Sequence, residues 1–152
     1  MQAALTALRG NLTRARALGE LFSALSKDAT PVLDLTDLLR AELVLAVSAF
    51  DHFIHEVARR GILETYKGLR PPSPAYLRFE VSLQCLSELL SNPGDSMILD
   101  QEIQGKHSWQ SFQKPDKIAD AVRLVSAKAL WDEIAIRVGL PAKDAKARLS
   151  AI

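Results

Sequence analysis

Cys85 is the only cysteine in 152 residues. A lone thiol closes no internal disulfide and builds no cysteine-based zinc cluster. A reducing cytosol asks least of such a chain, so a cytoplasmic protein is expected. Cys85 falls within an apolar helical pattern, which reads as core filler and not as a nucleophile. Long hydrophobic runs are also missing. The longest, residues 43–47, is far below the roughly 20 needed to cross a bilayer, so no membrane contact is expected. Charge of one sign is missing too. Nineteen Lys and Arg against 18 Asp and Glu leave +1, which gives no global argument for nucleic acid. There is no glycine-rich phosphate loop, nucleophile elbow, repeat or low-complexity tract. A secretory signal needs charge and then an apolar core, and that order is absent. Arg9, Arg14 and Arg16 precede the first acid, Glu20. They fit an organelle transit peptide or the solvated face of a first helix, and the amphipathic pattern favours the helix.

What is present is apolar residue at helical spacing. Apolar residues make up 48% of the chain, as in an ordinary globular protein, and the length suits one domain with a core. A first helix is expected over residues 3–26, with Leu5, Leu8, Leu12, Ala15, Leu18, Phe22 and Leu25 on its apolar side. Gly10 and Gly19 weaken it by about 1 kcal/mol each, so packing must hold it. Residues 28–31 break it, and Asp34 or Thr36 caps a second helix that runs to about residue 66. Three prolines in RPPSP, residues 70–74, stop that helix. A third helix is expected over 75–90, a short one over 97–104, and an irregular segment over 105–113. Pro115 suits the first turn of the next helix, with Asp116 favoured by the helix dipole. Leu130 to Val138 carry another, which Gly139 closes, and a last one opens near Ala142. The expected fold is all-α: one helical bundle over residues 1–152 with a long central helical hairpin.

The second helix holds the most informative pattern. Leu39, Leu43, Ala46, Val47, Phe50, Ile54, Val57, Ala58 and Gly61 recur at three- and four-residue steps. At about 100° per residue, Ser48, His52, His55 and Arg59 fall on another line, with Asp51 beside it. Polar groups on a largely buried helix must find partners. Asp51, His52 and His55 have metal-ligand spacing, but His107 is the only other histidine, so a buried hydrogen-bond network is favoured and no metal is expected. Ser48, Asp51 and His52 have the residue types of a catalytic triad, but one helix points them roughly parallel and offers no oxyanion hole. Asp51 is expected to accept a hydrogen bond from His55 or from a neighbouring helix.

Charge is uneven further on. Arg59, Arg60, Lys67, Arg70 and Arg78 face only Glu64 over twenty residues, with Tyr66 and Tyr76 among them. Arginine beside aromatics suits single-stranded RNA, and basic residues also suit a solvated helix end. Arg59, Arg60, Lys67 and Arg70 are the RNA-binding candidates. Trp109 and Phe112 look like anchors of the loop that precedes Pro115.

Four stretches in order carry a resemblance: LVLAVSAFDHFIHEVARRGILE, RPPSPAYLRFEVSL, SWQSFQKPDKIADAVRLV and LWDEIAIRVGLPAKDAKARL. Together they resemble RiboL-PSP-type HEPN domains, over most of the chain from about Leu38. The resemblance implies a helical bundle that pairs as a homodimer, and a ribonuclease that uses no metal or cofactor. It also implies an arginine followed four to six residues later by a histidine, with two copies meeting across the dimer. A ribose 2′-hydroxyl then attacks the adjacent phosphate, with histidine in acid–base work and arginine on the phosphoryl charge. Related domains serve phage defence and toxin–antitoxin systems, so an antitoxin or defence-system partner is implied. This chain departs at the decisive point. No arginine has a histidine four to six positions after it; His52 and His55 follow Arg40 by twelve and fifteen. In the family the motif lies just downstream of a stretch resembling KARLSAI, residues 146–152. The expectation is therefore a HEPN-type domain lacking its C-terminal catalytic segment, through truncation or loss, and inactive as given. No catalytic residue is assigned; Ser48, Asp51, His52, His55 and Arg59 remain as an accessory polar stripe. The alternative is a non-catalytic dimerisation, regulatory or RNA-binding module.

Overall fold

The structure, a computed structural model, describes residues 1–27, 34–108 and 110–139. Among them the order is α1 (Gln2–Leu25), α2 (Thr36–Tyr66), a 3₁₀ turn (Tyr76–Arg78), α3 (Leu83–Ser91), α4 (Ser96–His107), α5 (Pro115–Arg123) and α6 (Leu130–Arg137), with no strand among the described residues. The fold class is all-α. The chain divides into two compact units, 1–53 and 54–152, and α2 runs through the division. The expected break at 28–31, the Trp109 anchor and the last helix from Ala142 lie outside the described residues.

In the first unit, α1 and the start of α2 follow the expected bounds closely. The Asp34 carboxylate accepts from the backbone N–H and the hydroxyl of Thr36 at 2.9 and 2.7 Å, which fixes where α2 begins. The Thr36 hydrogen bonds hold the Asp34 carboxyl below its ordinary range. Gly19 lies against the Glu42 carboxylate, and a Cβ there would collide with it. Only Ala4, Ala15 and Ala49 of this unit are buried among the described residues. Leu5, Leu8, Leu12, Leu18 and Phe22 are half-buried and Leu25 is exposed.

The second unit has a true core. Ile62, Leu99 and Ile103 are buried together, with Leu63, Tyr66, Tyr76, Phe79, Val81, Leu89 and Leu124 packed around them. Gly61 lies against Val125 so closely that a Cβ would overlap the valine side chain. Here a missing side chain lets α2 and the end of the α5 segment meet.

The stop at RPPSP is held by more than proline. The Ser73 hydroxyl, buried, donates toward the carbonyls of Arg123 and Leu124 at 2.7 and 3.1 Å and accepts from the Tyr76 N–H at 3.0 Å. Arg70 donates to the Val125 carbonyl at 3.1 Å and is also paired with Glu64. These bonds occupy carbonyls at the end of α5 that the helix itself leaves unused.

Two helix boundaries differ from expectation. Residues 75–90 are not one helix. The 3₁₀ turn ends at Arg78, Phe79 turns extended, and α3 starts after Ser82. Ser82 is the reason: its hydroxyl accepts from the Cys85 N–H at 3.1 Å, while its own N–H and hydroxyl go to the Glu102 carboxylate of α4. A serine committed in this way starts a helix and does not continue one. The short helix expected over 97–104 instead runs to His107, so that histidine stands at a helix end and not in an irregular segment. Asp95 caps its start by accepting from the Met97 N–H at 2.9 Å. Pro115 opens α5 with Asp116 in its first turn, and Gly139 follows α6 with φ +71°. No helix among the described residues is long and apolar enough to cross a membrane.

Candidate functional site

Within the second unit, one polar and aromatic cluster joins α2 to α4. Arg59 is its centre. Its guanidinium donates to both Asp100 oxygens, at 2.6 and 2.8 Å, and to Glu56 at 2.9 Å. Glu56 also accepts from Arg60 at 2.8 Å, so one carboxylate serves two consecutive arginines one turn further on. Gln104 adds a donor to Asp100 at 3.0 Å. Burial pushes the Glu56 carboxyl up, but hydrogen bonds and charge from Arg59 and Arg60 prevail and hold it at about 2. Hydrogen bonding to Glu56 raises Arg59 against its burial, with Asp100 adding to that.

Toward the end of α4 the cluster turns aromatic. His107 lies seven residues after Asp100 on the same face of α4 and is buried. Its ring is 5.9 Å from the His55 ring, 5.8 Å from Phe112 and 6.4 Å from Phe79, the two phenylalanines meeting it edge-on. His55 also packs on Phe112 at 4.5 Å, and its Nε2 lies 3.2 Å from the Gln110 carbonyl. That carbonyl is an acceptor, so Nε2 carries a proton here. Burial lowers the His107 pKa, and the neighbouring His55 lowers it further. An imidazole kept neutral among phenylalanines is a packing element with a polar edge.

Of the polar stripe expected on α2, Arg59 and His55 belong to this cluster, with His55 half-buried; Ser48 and His52 are exposed and Asp51 is half-buried. Of the RNA-binding candidates, Arg59, Arg60 and Arg70 each face a carboxylate, whereas Lys67 is exposed. Cys85 is buried, its thiol pushed up by burial and then by Glu102 and Glu88. It lines a cleft of about 360 Å³ between α3 and α4, with Ser82, Glu88, Glu102 and Lys106. Phe112 is the buried anchor expected before Pro115. No group of three or more potential metal ligands occurs among the described residues.

Asp100 was not legible as a site residue. The one signal is its place between Leu99 and Ile103, where a carboxylate on a helix's buried side demands a cation. Nothing local pairs it with Arg59, 41 residues away.

Chemically, the cluster has the residue types of acid–base catalysis but not their availability. The guanidinium donors facing Asp100 and Glu56 are engaged, and both imidazoles are packed against rings. Comparison with known proteins adds no neighbour: no protein-family model matches the chain, and neither a curated protein nor a solved structure matches it.

Proposed function

We propose that this chain is a RiboL-PSP-type HEPN domain, a helical bundle with a long central hairpin, that does not cleave RNA as given. Two things support the reading. The four ordered sequence stretches lie on helices or their flanking loops wherever they are described. No arginine–histidine pair has the spacing that family's chemistry needs. The observation that carries inactivity is Arg59. Arg59, one turn after His55 on α2, is neutralised by Asp100 and Glu56. A guanidinium so paired has little left for a phosphoryl oxygen, and freeing it would leave two carboxylates partly buried.

RNA remains the proposed ligand, held by phosphate contact at exposed Lys67. Binding of that kind falls steeply with salt. A defence-system or antitoxin partner belongs to the same reading. The test is labelled tRNA incubated with the 152-residue chain in EDTA, with binding followed over a salt series. Binding without cleavage is expected, weakened by Lys67→Ala. Cleavage abolished by His55→Ala or His107→Ala would assign the cluster to catalysis and overturn the proposal.

A further inference from the structure

On the outer wall of the second unit's core lies a cleft of about 250 Å³. Ile62 and Leu99, both buried, form its floor. Tyr66, Tyr76 and Phe79 are half-buried around it, and Leu77, 71% exposed, stands at its mouth. No charged side chain lines it. The protein's own bonds fix these walls. Tyr66 ends α2, and the Tyr76 N–H is held by the Ser73 hydroxyl, itself tied to the Arg123 and Leu124 carbonyls. Phe79 is braced edge-on by His107.

Size and lining narrow what can enter. A pocket that encloses a drug-sized ligand measures about 300–1,000 Å³. This cleft is smaller, so it suits one ring whose attachments stay outside. Aromatic walls suit a flat ring. Among the described residues neither tyrosine hydroxyl has a hydrogen-bond partner, and neither is buried without one, so both reach solvent and can bond the edge of an occupant. Tyr76 keeps its proton at neutral pH, because burial and then Tyr66 push its pKa up, so it can donate. An aliphatic side chain from a protein partner would leave both hydroxyls unused. Charge lies outside the cleft. Lys67 follows Tyr66 and Arg78 stands between Leu77 and Phe79; both are exposed, with no ion pair among the described residues. The nearest acids in sequence are Glu64, engaged by Arg70, and exposed Glu80.

We propose that this cleft takes one unpaired base of an RNA strand, stacked on Tyr66 and Tyr76, with the strand's phosphates outside at Lys67 and Arg78. The inference rests on the RNA reading above and adds to it a second kind of contact. Phosphate contacts alone hold any polyanion, whereas a base in an aromatic cleft selects a strand whose bases are free. The two hydroxyls would bond the base's edge, and the apolar floor would exclude water beneath it.

Fluorescence anisotropy of the full chain at low salt tests it, with a labelled RNA single strand and the same strand lacking its bases. The intact strand should bind at least about fivefold tighter than the abasic one. Lys67→Ala should weaken both strands alike. Tyr66→Ala should remove the difference between them, and 2-aminopurine in the intact strand, quenched as it stacks on the wild type, should keep its fluorescence with this variant. Should Tyr66→Ala fail to fold, Tyr66→Phe with Tyr76→Phe keeps both rings and should still narrow the difference; the comparison of strands on the wild type needs no variant. Equal binding of intact and abasic strands overturns the inference while leaving the RNA reading in place, and would hand the cleft to an apolar side chain of a protein partner. An intact-strand preference that survives Tyr66→Ala with unchanged helical circular dichroism puts the base elsewhere and overturns it. Adenosine monophosphate binding as tightly as the strand would make a free nucleotide the occupant and overturns it too. No binding of either strand removes the RNA reading and this inference together.

Discussion

Between Leu39 and Phe50, the large apolar residues Leu39, Leu43, Val44, Val47 and Phe50 of α2 are 38–65% exposed; from Ile54 to Thr65, Ile54, Ala58, Ile62 and Thr65 are at most 8% exposed. The pattern of apolar residues hardly changes along the helix. What changes is what lies against it: in the second unit Leu99, Ile103 and Val125 come from other segments, whereas α1 meets α2 near small residues such as Gly19. Periodicity thus states where a helix has an apolar side, but not which residues, or which molecule, will cover it.

The sharpest way to break this comparison is to truncate both halves. Ile62→Ala should cost about 2–5 kcal/mol in urea denaturation, because a fully buried side chain leaves a cavity. Leu43→Ala should cost the monomer no more than about 0.5 kcal/mol. Equal costs would mean that both halves sit in one core.

Charge pairs offer the same contrast at smaller size. Asp100→Ala strands the partly buried Arg59 and should cost about 1–3 kcal/mol. Asp37→Ala removes the partner of Arg40 where both side chains are mostly exposed, and should stay within about 0.5 kcal/mol. An Asp100 effect as small as that of Asp37 would show that the cluster is not a brace.

Two glycines should then differ in sign. Gly61→Ala forces Val125 to move and should destabilise by about 1–2 kcal/mol. Gly10→Ala meets nothing within 4 Å and should stabilise α1 by about 0.5–1 kcal/mol. Thermal melts of the two variants decide it; a shift of the same sign in both would remove the distinction drawn between close approach and open helix.

The all-helical class and the ends of α1, α2 and α6 were legible, because local signals set them: apolar spacing, the Asp34 carboxylate, and Gly139. The break before α3 was not. Ser82 caps α3 through the Cys85 N–H, but its own N–H and hydroxyl are held by Glu102, twenty residues on. The site was legible in the same uneven way. His55 and Arg59 stood out as polar residues on an apolar helix. Asp100, Gln104 and the edge-on phenylalanines that determine what those two can do arrive from other segments, and helix periodicity carries no information about them.

The smallest effect expected is a pH dependence at His107. Its pKa in the folded chain lies below the ordinary 6.5, through burial first and His55 second. The unfolded chain therefore binds the proton at higher pH than the folded chain does. Stability from the neutral, buried ring is present above about pH 6.5 and is lost as pH falls below it. Glu56 behaves with the same sign in a lower window. Its carboxyl is held near 2 against an ordinary 4.5, so its contribution fades only as pH drops from about 4.5 toward 2. Urea midpoints between about pH 7.5 and 5.5 should thus fall in the wild type, before carboxylates matter. His107→Gln, which cannot take up the proton, should flatten that fall while lowering the midpoint at pH 7.5 through poorer packing against Phe79 and Phe112. An unchanged slope in the variant would mean that the buried imidazole is not what the folded state protects from protonation.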